Sequence, residues 1–357
     1  MSIGGYQLPR AMLAIKVCSW RTALPWLVAA SFAGCARDGV KIRVERAPDS
    51  STVSTRSESR RFVPFRIDTI TWSLRDTLLR SSEKVVIAKS LFIFQIGFAR
   101  LRAIDLSGAR KWDHDVSSDG LRRISDVRAG GGDTVFVLDA ETDHLLTLNA
   151  EGNTTSNRQI SHVGHADVFV PLRGDSAVAI TADSLAPFVV FDRNGHILAR
   201  RELSWPGFSK LNFLARQSVI GSSGGDSTWV LGFAFGNGFL VFDGTRAKPF
   251  RGSFVEPVPF PDVIVSSEGA DRSERLGRVT AAAAAIAVHG TEVLVLFGGT
   301  DTTLKFRVLD RYSATDGKYR GSYLLPSRAN SLAVHGEQVL VQFPKFLGEL
   351  VELGTQR

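Results

Sequence analysis

Residues 125–160 read SDVRAGGGDTVFVLDAETDHLLTLNAEGNTTSNRQI. Three apolar segments and a polar fourth are packed into one short stretch, each separated from the next by a turn. GD and EG mark tight reversals, where a positive φ is tolerated. The run Val135-Phe136-Val137-Leu138 is apolar without alternation. An alternating strand has one buried face, and a continuous apolar strand has two. Two buried faces in an antiparallel unit mean that this sheet is covered by another sheet on each side.

The same grammar recurs outward in both directions. It is found at 89–112, 166–203, 221–250, 285–325 and 331–354. Gly108, Gly152 and Gly195 close equivalent outer turns 44 and 43 residues apart, the length of a four-stranded propeller blade. The expectation is an all-β chain, a six-bladed β-propeller of four-stranded antiparallel blades. The blades lie at about 80–118, 124–160, 165–203, 211–255, 280–326 and from 329 onward. The last copy ends after its third strand. FVPFRIDTITW, residues 62–72, alternates and has no other partner, so this N-terminal strand is expected to complete the last blade beside 339–352 and close the ring. Ala281–Ala285 favours helix on propensity, but its continuation IAVHG matches SLAVHG of the last copy and places it on an inner strand. Residues 251–279, with EPVPFP and SEGADRSERLGR, read as an inserted loop.

The patterns GGDTVFVLDAETDHLLTLNAEGN and VVFDRNGHI resemble the repeats of six-bladed NHL-like β-propellers. The resemblance covers roughly residues 62–357 and implies architecture rather than an activity.

Ahead of the repeats, Thr22 to Gly34 carries no charge and follows Lys16 and Arg21. That is the layout of a signal peptide over 1–34, with Met12 as an alternative start, and the apolar run is short for a membrane span. Ala33-Gly34-Cys35 resembles the lipobox of bacterial lipoproteins, with Phe32 where that family usually has Leu. The resemblance implies that Cys35 becomes a lipid-bearing first residue. The protein would then be extracytoplasmic and anchored to the cell envelope. Ala36 in place of Asp points to the outer membrane if there are two. Cleavage after Ser31-Phe32-Ala33 would instead release a soluble protein, and pairing with Cys18 would need the leader retained. Residues 35–60 read as lipidated cysteine and flexible tether, polar and short-chained over 49–58.

The formal charge is +7, and Arg10, Lys16 and Arg21 supply three of those charges ahead of Cys35, leaving +4. The remaining basic residues form pairs such as Arg122-Arg123, not a stripe, so nucleic acid is not an expected partner. No serine elbow, phosphate loop, cysteine pair or HExxH motif is present. His162, His165 and Asp167 form the spacing best suited to a metal, with a polar interblade loop as the alternative; no cofactor is expected. Asp113-His114-Asp115 reads as an exposed outer strand. Asp105, Asp192, Asp243 and Asp310 recur at one phase and read as acceptors for turn amides. Repeat phase places Asp126, His165, Asp167, Asn212 and Asn330 before inner strands, as candidates for an axial ligand site. The function expected is a membrane-tethered module for an envelope protein, peptide or glycan. The alternative is a propeller-type hydrolase or lyase with an axial polar or metal site.

Overall fold

The structure is a computed structural model. It describes residues 40–45, 59–70 and 82–352, apart from 89, 106, 131–133, 161–162, 164–165, 173–175, 182–186, 193, 203–216, 223–227, 244–249, 269–270 and 345. The leader and Cys35 lie outside the described residues.

Six antiparallel four-stranded sheets form the body. Strands are lettered A to D from the axis outward. Blade 1 comprises Ser82–Ala88, Leu91–Ile96, Arg100–Asp105 and Arg110–Asp115. Blade 2 comprises Asp126–Ala129, Val135–Asp139, His144–Leu148 and Thr154–Gln159. Blade 3 comprises Ala166–Pro171, Ser176–Thr181, Phe188–Asp192 and Ile197–Arg201. Blade 4 comprises Ser218–Ser222, Thr228–Phe233, Phe239–Asp243 and the short Phe250–Gly252. Blade 5 comprises Ala283–His289, Glu292–Phe297, Val308–Ser313 and Tyr319–Leu324. Blade 6 comprises Ser331–His335, Gln338–Gln342, Leu347–Glu352 and, from the other end of the chain, Phe65–Ile70. Each inner strand neighbours the next, and that of blade 6 neighbours that of blade 1.

Closure follows the expected route. Phe65–Ile70 pairs antiparallel with Leu347–Glu352 over its whole length, from Phe65 opposite Glu352 to Ile70 opposite Leu347. The residues just before it are held by the neighbouring blade: the Val63 amide donates to the Ser322 carbonyl, and the Ser322 amide to the Arg61 carbonyl.

The continuous apolar runs do what their pattern requires, since alternate residues of one strand enter opposite interfaces. On strand A of blade 1, Val86 and Ala88 pack with Val127, Val135 and Val137 of blade 2. Val85 and Ile87 pack with Ala333 and Leu340 of blade 6. The remaining interfaces repeat this arrangement, as with Phe169, Ala179 and Phe191 against Leu138 and Leu145. Six apolar layers thus join each blade to the next. The alanine run enters strand A of blade 5 as expected. Small side chains are needed there, because a Cβ on Gly221 of blade 4 would lie 2.1 Å from the Ile286 carbonyl oxygen.

The outer turns also match their reading. Asp105, Asn149 and Asp192 each accept two backbone amides of the following turn. Gly108, Gly152 and Gly195 lie in these turns with φ of 84°, 79° and 81°.

Two segments differ from the sequence reading. Within 251–279, Val263–Glu268 and Asp271–Leu276 form a hairpin outside the six blades. Polar residues dominate its second strand and hide the period in the sequence, while Val263 and Val265 are buried. Within the segment read as tether, Val40–Glu45 is a strand paired along the hairpin's first strand. Its sequence, VKIRVE, alternates apolar and charged residues, the period of a strand with one covered face. The polar stretch 49–58 lies outside the described residues.

Candidate functional site

Inner strands of a propeller have only one sheet neighbour, so each turns unpaired backbone groups toward the axis. Those groups need partners when water is excluded. On one side of the axis two charged side chains, Asp126 and Arg128, meet them, and a third, Lys84, pairs with Asp126. Asp126 opens strand A of blade 2 and is 3% exposed. It pairs with Lys84 of blade 1, and with Arg128 two residues on, whose Nε is 2.9 Å from Oδ2. Asp126 Oδ2 also accepts from the Phe169 amide of blade 3, at 3.3 Å. Arg128 Nη1 donates to the Ile220 carbonyl of blade 4, at 2.7 Å. One carboxylate and two cations therefore link four successive blades.

The electrostatics of this triad are uneven. Burial alone would raise the Asp126 pKa, but Arg128 and Lys84 outweigh it and hold the carboxyl below its ordinary range. Lys84 is pulled down to about 8, first by burial and then by Arg128, against the opposing pull of Asp126. The triad carries one uncompensated positive charge. Lys84 is its open member, with 27% of its side chain accessible, against 4% for Asp126 and 11% for Arg128. Such an arrangement can receive an anionic group at Lys84 and Arg128 without displacing Asp126.

Lys84→Met should separate charge from packing. The variant leaves Asp126 and Arg128 as a balanced pair and removes the desolvated ammonium. At pH 7 its melting temperature should equal or exceed that of the parent. The sign follows from the depressed pKa. Between about 8 and the ordinary lysine value the unfolded chain holds a proton that the folded chain has released. The parent therefore gains stability as pH rises through that window, and the variant's advantage shrinks. Thermal melts from pH 6 to 10 read this directly; an advantage that grows with pH would contradict it.

The other residues singled out by repeat phase do not join this cluster. Asn330 is exposed in the turn before strand A of blade 6, where its amide donates to the Gln342 carbonyl. Asp167 belongs to strand A of blade 3, but its side chain lies outside the described residues, as do His162, His165 and Asn212. No group of three or more His, Cys, Asp or Glu suited to a metal occurs among the described residues. Asp113-His114-Asp115 lies on outer strand D of blade 1, where each member has a structural partner. Asp113 pairs with Arg102, with Oδ1 2.6 Å from Nε, and Asp115 accepts the Ser117 amide at the start of a short helical turn. His114 Nε2 lies 2.7 Å from Asp119. His289 and His335 both precede a glycine of positive φ, Gly290 at 54° and Gly336 at 56°, as their shared phase implied.

Asp310 is a correction. It is not a turn acceptor but a buried carboxylate in the middle of strand C of blade 5, 1% exposed. Arg60 grips it with two bonds, of 3.1 and 3.2 Å. The turn role in this blade falls to Ser313, whose Oγ accepts from the Thr315 and Asp316 amides. Lys84 and Arg128 are the functional candidates that sequence reasoning missed. Their signal was a lone cation within an apolar inner strand.

The fold and its axis define a six-bladed β-propeller with a charged inner cluster. No protein-family model matches the sequence, and no curated protein matches it. Solved structures do resemble it. Virginiamycin B lyase from Staphylococcus aureus aligns with a TM-score of 0.50 and 11% identity, over 81% of this chain and 99% of that one. BamB from Moraxella catarrhalis aligns at 0.42 and 13%, over 76% and 83%. At such identities the likeness shows the fold alone.

Proposed function

We propose that the protein is a lipid-anchored lipoprotein of the cell envelope whose propeller is a binding module, and that the axial triad receives an anionic group of its ligand. The observation that carries the binding reading is the net-positive Lys84–Asp126–Arg128 cluster, with Lys84 its most accessible member. The anchor is supported by Ala33-Gly34-Cys35 after an uncharged run. No helix among the described residues is long and apolar enough to cross a membrane. A thioether-linked diacyl group with a further amide-linked chain would hold firmly, at about 0.8 kcal/mol per buried methylene. The NHL-like reading of the repeats is supported by the Asp or Asn acceptor that recurs four residues before the end of the outer turn in blades 1 to 3.

Two measurements test this. Intact mass of the protein from native membranes should give a chain starting at Cys35 with added lipid; a start at Gly34 without added mass overturns the anchor. Thermal shifts with succinate, citrate and a short polyglutamate peptide should show stabilisation that Lys84→Met abolishes. Stabilisation by none of them, or equally in the variant, overturns the anion site.

A further inference from the structure

We infer that the hairpin inserted between blades 4 and 5 is the membrane-facing element of the protein, because the strand next to the lipid-bearing end of the chain is paired with it. The inference rests on the anchor reading above. Val40–Glu45 pairs with Val263–Glu268 at every position, from Val40 opposite Glu268 to Glu45 opposite Val263. Glu268 in turn stands opposite Asp271, at the turn end of the hairpin. The chain therefore enters the sheet at the hairpin's turn end and runs toward its base, where Val263 is buried.

Chain reach sets the consequence. Five residue steps separate Cys35 from Val40, and at about 3.3–3.6 Å per residue they span at most about 18 Å. A free tether from Cys35 to Arg60 would reach about 85 Å on the same measure. With Val40–Glu45 paired, Val40, which stands beside Glu268 at the turn end of the hairpin, lies within about 18 Å of the acylated residue. The hairpin, not residues 46–58, then sets the height and tilt of the sheet above the bilayer.

The test uses the full-length lipidated protein in phosphatidylethanolamine–phosphatidylglycerol vesicles doped with a nitroxide-headgroup lipid. With Cys35 acylated and the leader removed, a new cysteine is the sole free thiol. A fluorophore at Ser273→Cys, an exposed position of the hairpin, should be quenched at least threefold more than one at Lys318→Cys, in the outer turn of blade 5. Adding Ile42→Pro and Arg43→Pro should erase that difference, since adjacent residues alternate in donating to the ladder and one of the two must be lost. The melting temperature should hold, because the pair lies outside the ring. Lipid mass at Cys35 with equal quenching at both sites, or quenching indifferent to the proline pair, overturns the inference while leaving the anchor intact. Absence of lipid mass overturns the anchor and this inference with it.

Discussion

A chain that begins at residue 71 should lose its cooperative melt or melt at least about 10 °C lower, and should self-associate. Such a chain lacks strand D of blade 6, which is Phe65–Ile70. Three losses coincide. Phe65 and Ile67 leave the apolar layer between blades 5 and 6, where they pack with the cluster that includes Tyr323 and Leu350. The Arg60 contacts with Asp310 and Glu256 disappear. Leu347–Glu352 becomes a free edge, ready to pair with another chain. Losses of this kind sum to about 5 kcal/mol or more, and for a domain of this size each kcal/mol moves the melting temperature by about 2 °C. The ring makes the effect global, because blade 6 contacts both blade 5 and blade 1. Calorimetry and light scattering of the truncated chain check this. A synthetic peptide of residues 59–72, added in excess, should restore part of the melt. A truncated chain that stays monomeric with the parent's melting temperature would show that closure rests elsewhere.

That strand was legible because it alternates and lacks a local partner. The interblade layers were legible for a related reason. A run such as Val85-Val86-Ile87-Ala88 can satisfy both its faces only between two sheets, and it does so against blades 6 and 2. The outer turns were legible because one glycine and one short polar side chain suffice to make them. The axial triad was not. Lys84 and Asp126 are 42 residues apart, and Arg128 and Ile220 are 92 apart. Repeat phase indicates which strand is innermost, but not which charges meet across the axis. Asp310 was misread because strand C of blade 5 continues three residues past its phase-matched aspartate, to Ser313. The phase-matched aspartate of that blade therefore falls inside the strand, and Ser313 takes its place at the turn.

Arg60→Met should destabilise the protein by about 3–5 kcal/mol at neutral pH, the cost of leaving a buried charge without its partner. Asp310 is 2% accessible on its side chain and Arg60 is 9%. The guanidinium lies 3.7 Å from the centroid of the Phe297 ring and also reaches Glu256, 3.2 Å away, which in turn accepts from the Thr300 amide. Ser322 donates to Asp310 at 2.6 Å, and that bond alone cannot replace the arginine. Burial already holds the Asp310 pKa above its ordinary value despite Arg60. Removing the cation raises it further. A carboxyl whose folded pKa is raised favours the fold when protonated, so its contribution is intact below the ordinary aspartate value and is lost as pH climbs through the folded one. The penalty of Arg60→Met should therefore shrink as pH falls from 7 toward 4, a window above the one in which loss of a surface pair fades, since a surface carboxylate stays ionised down to its ordinary value or below. Arg60→Met with Asp310→Leu should recover most of the stability, since replacing both partners of a buried pair by apolar groups is often near neutral. Denaturant melts of the parent, both single variants and the double variant from pH 4 to 8 measure the coupling. A single-variant penalty below 1 kcal/mol, or one independent of pH, would mean that Arg60 is an ordinary surface residue and that strand pairing alone seats the closing segment.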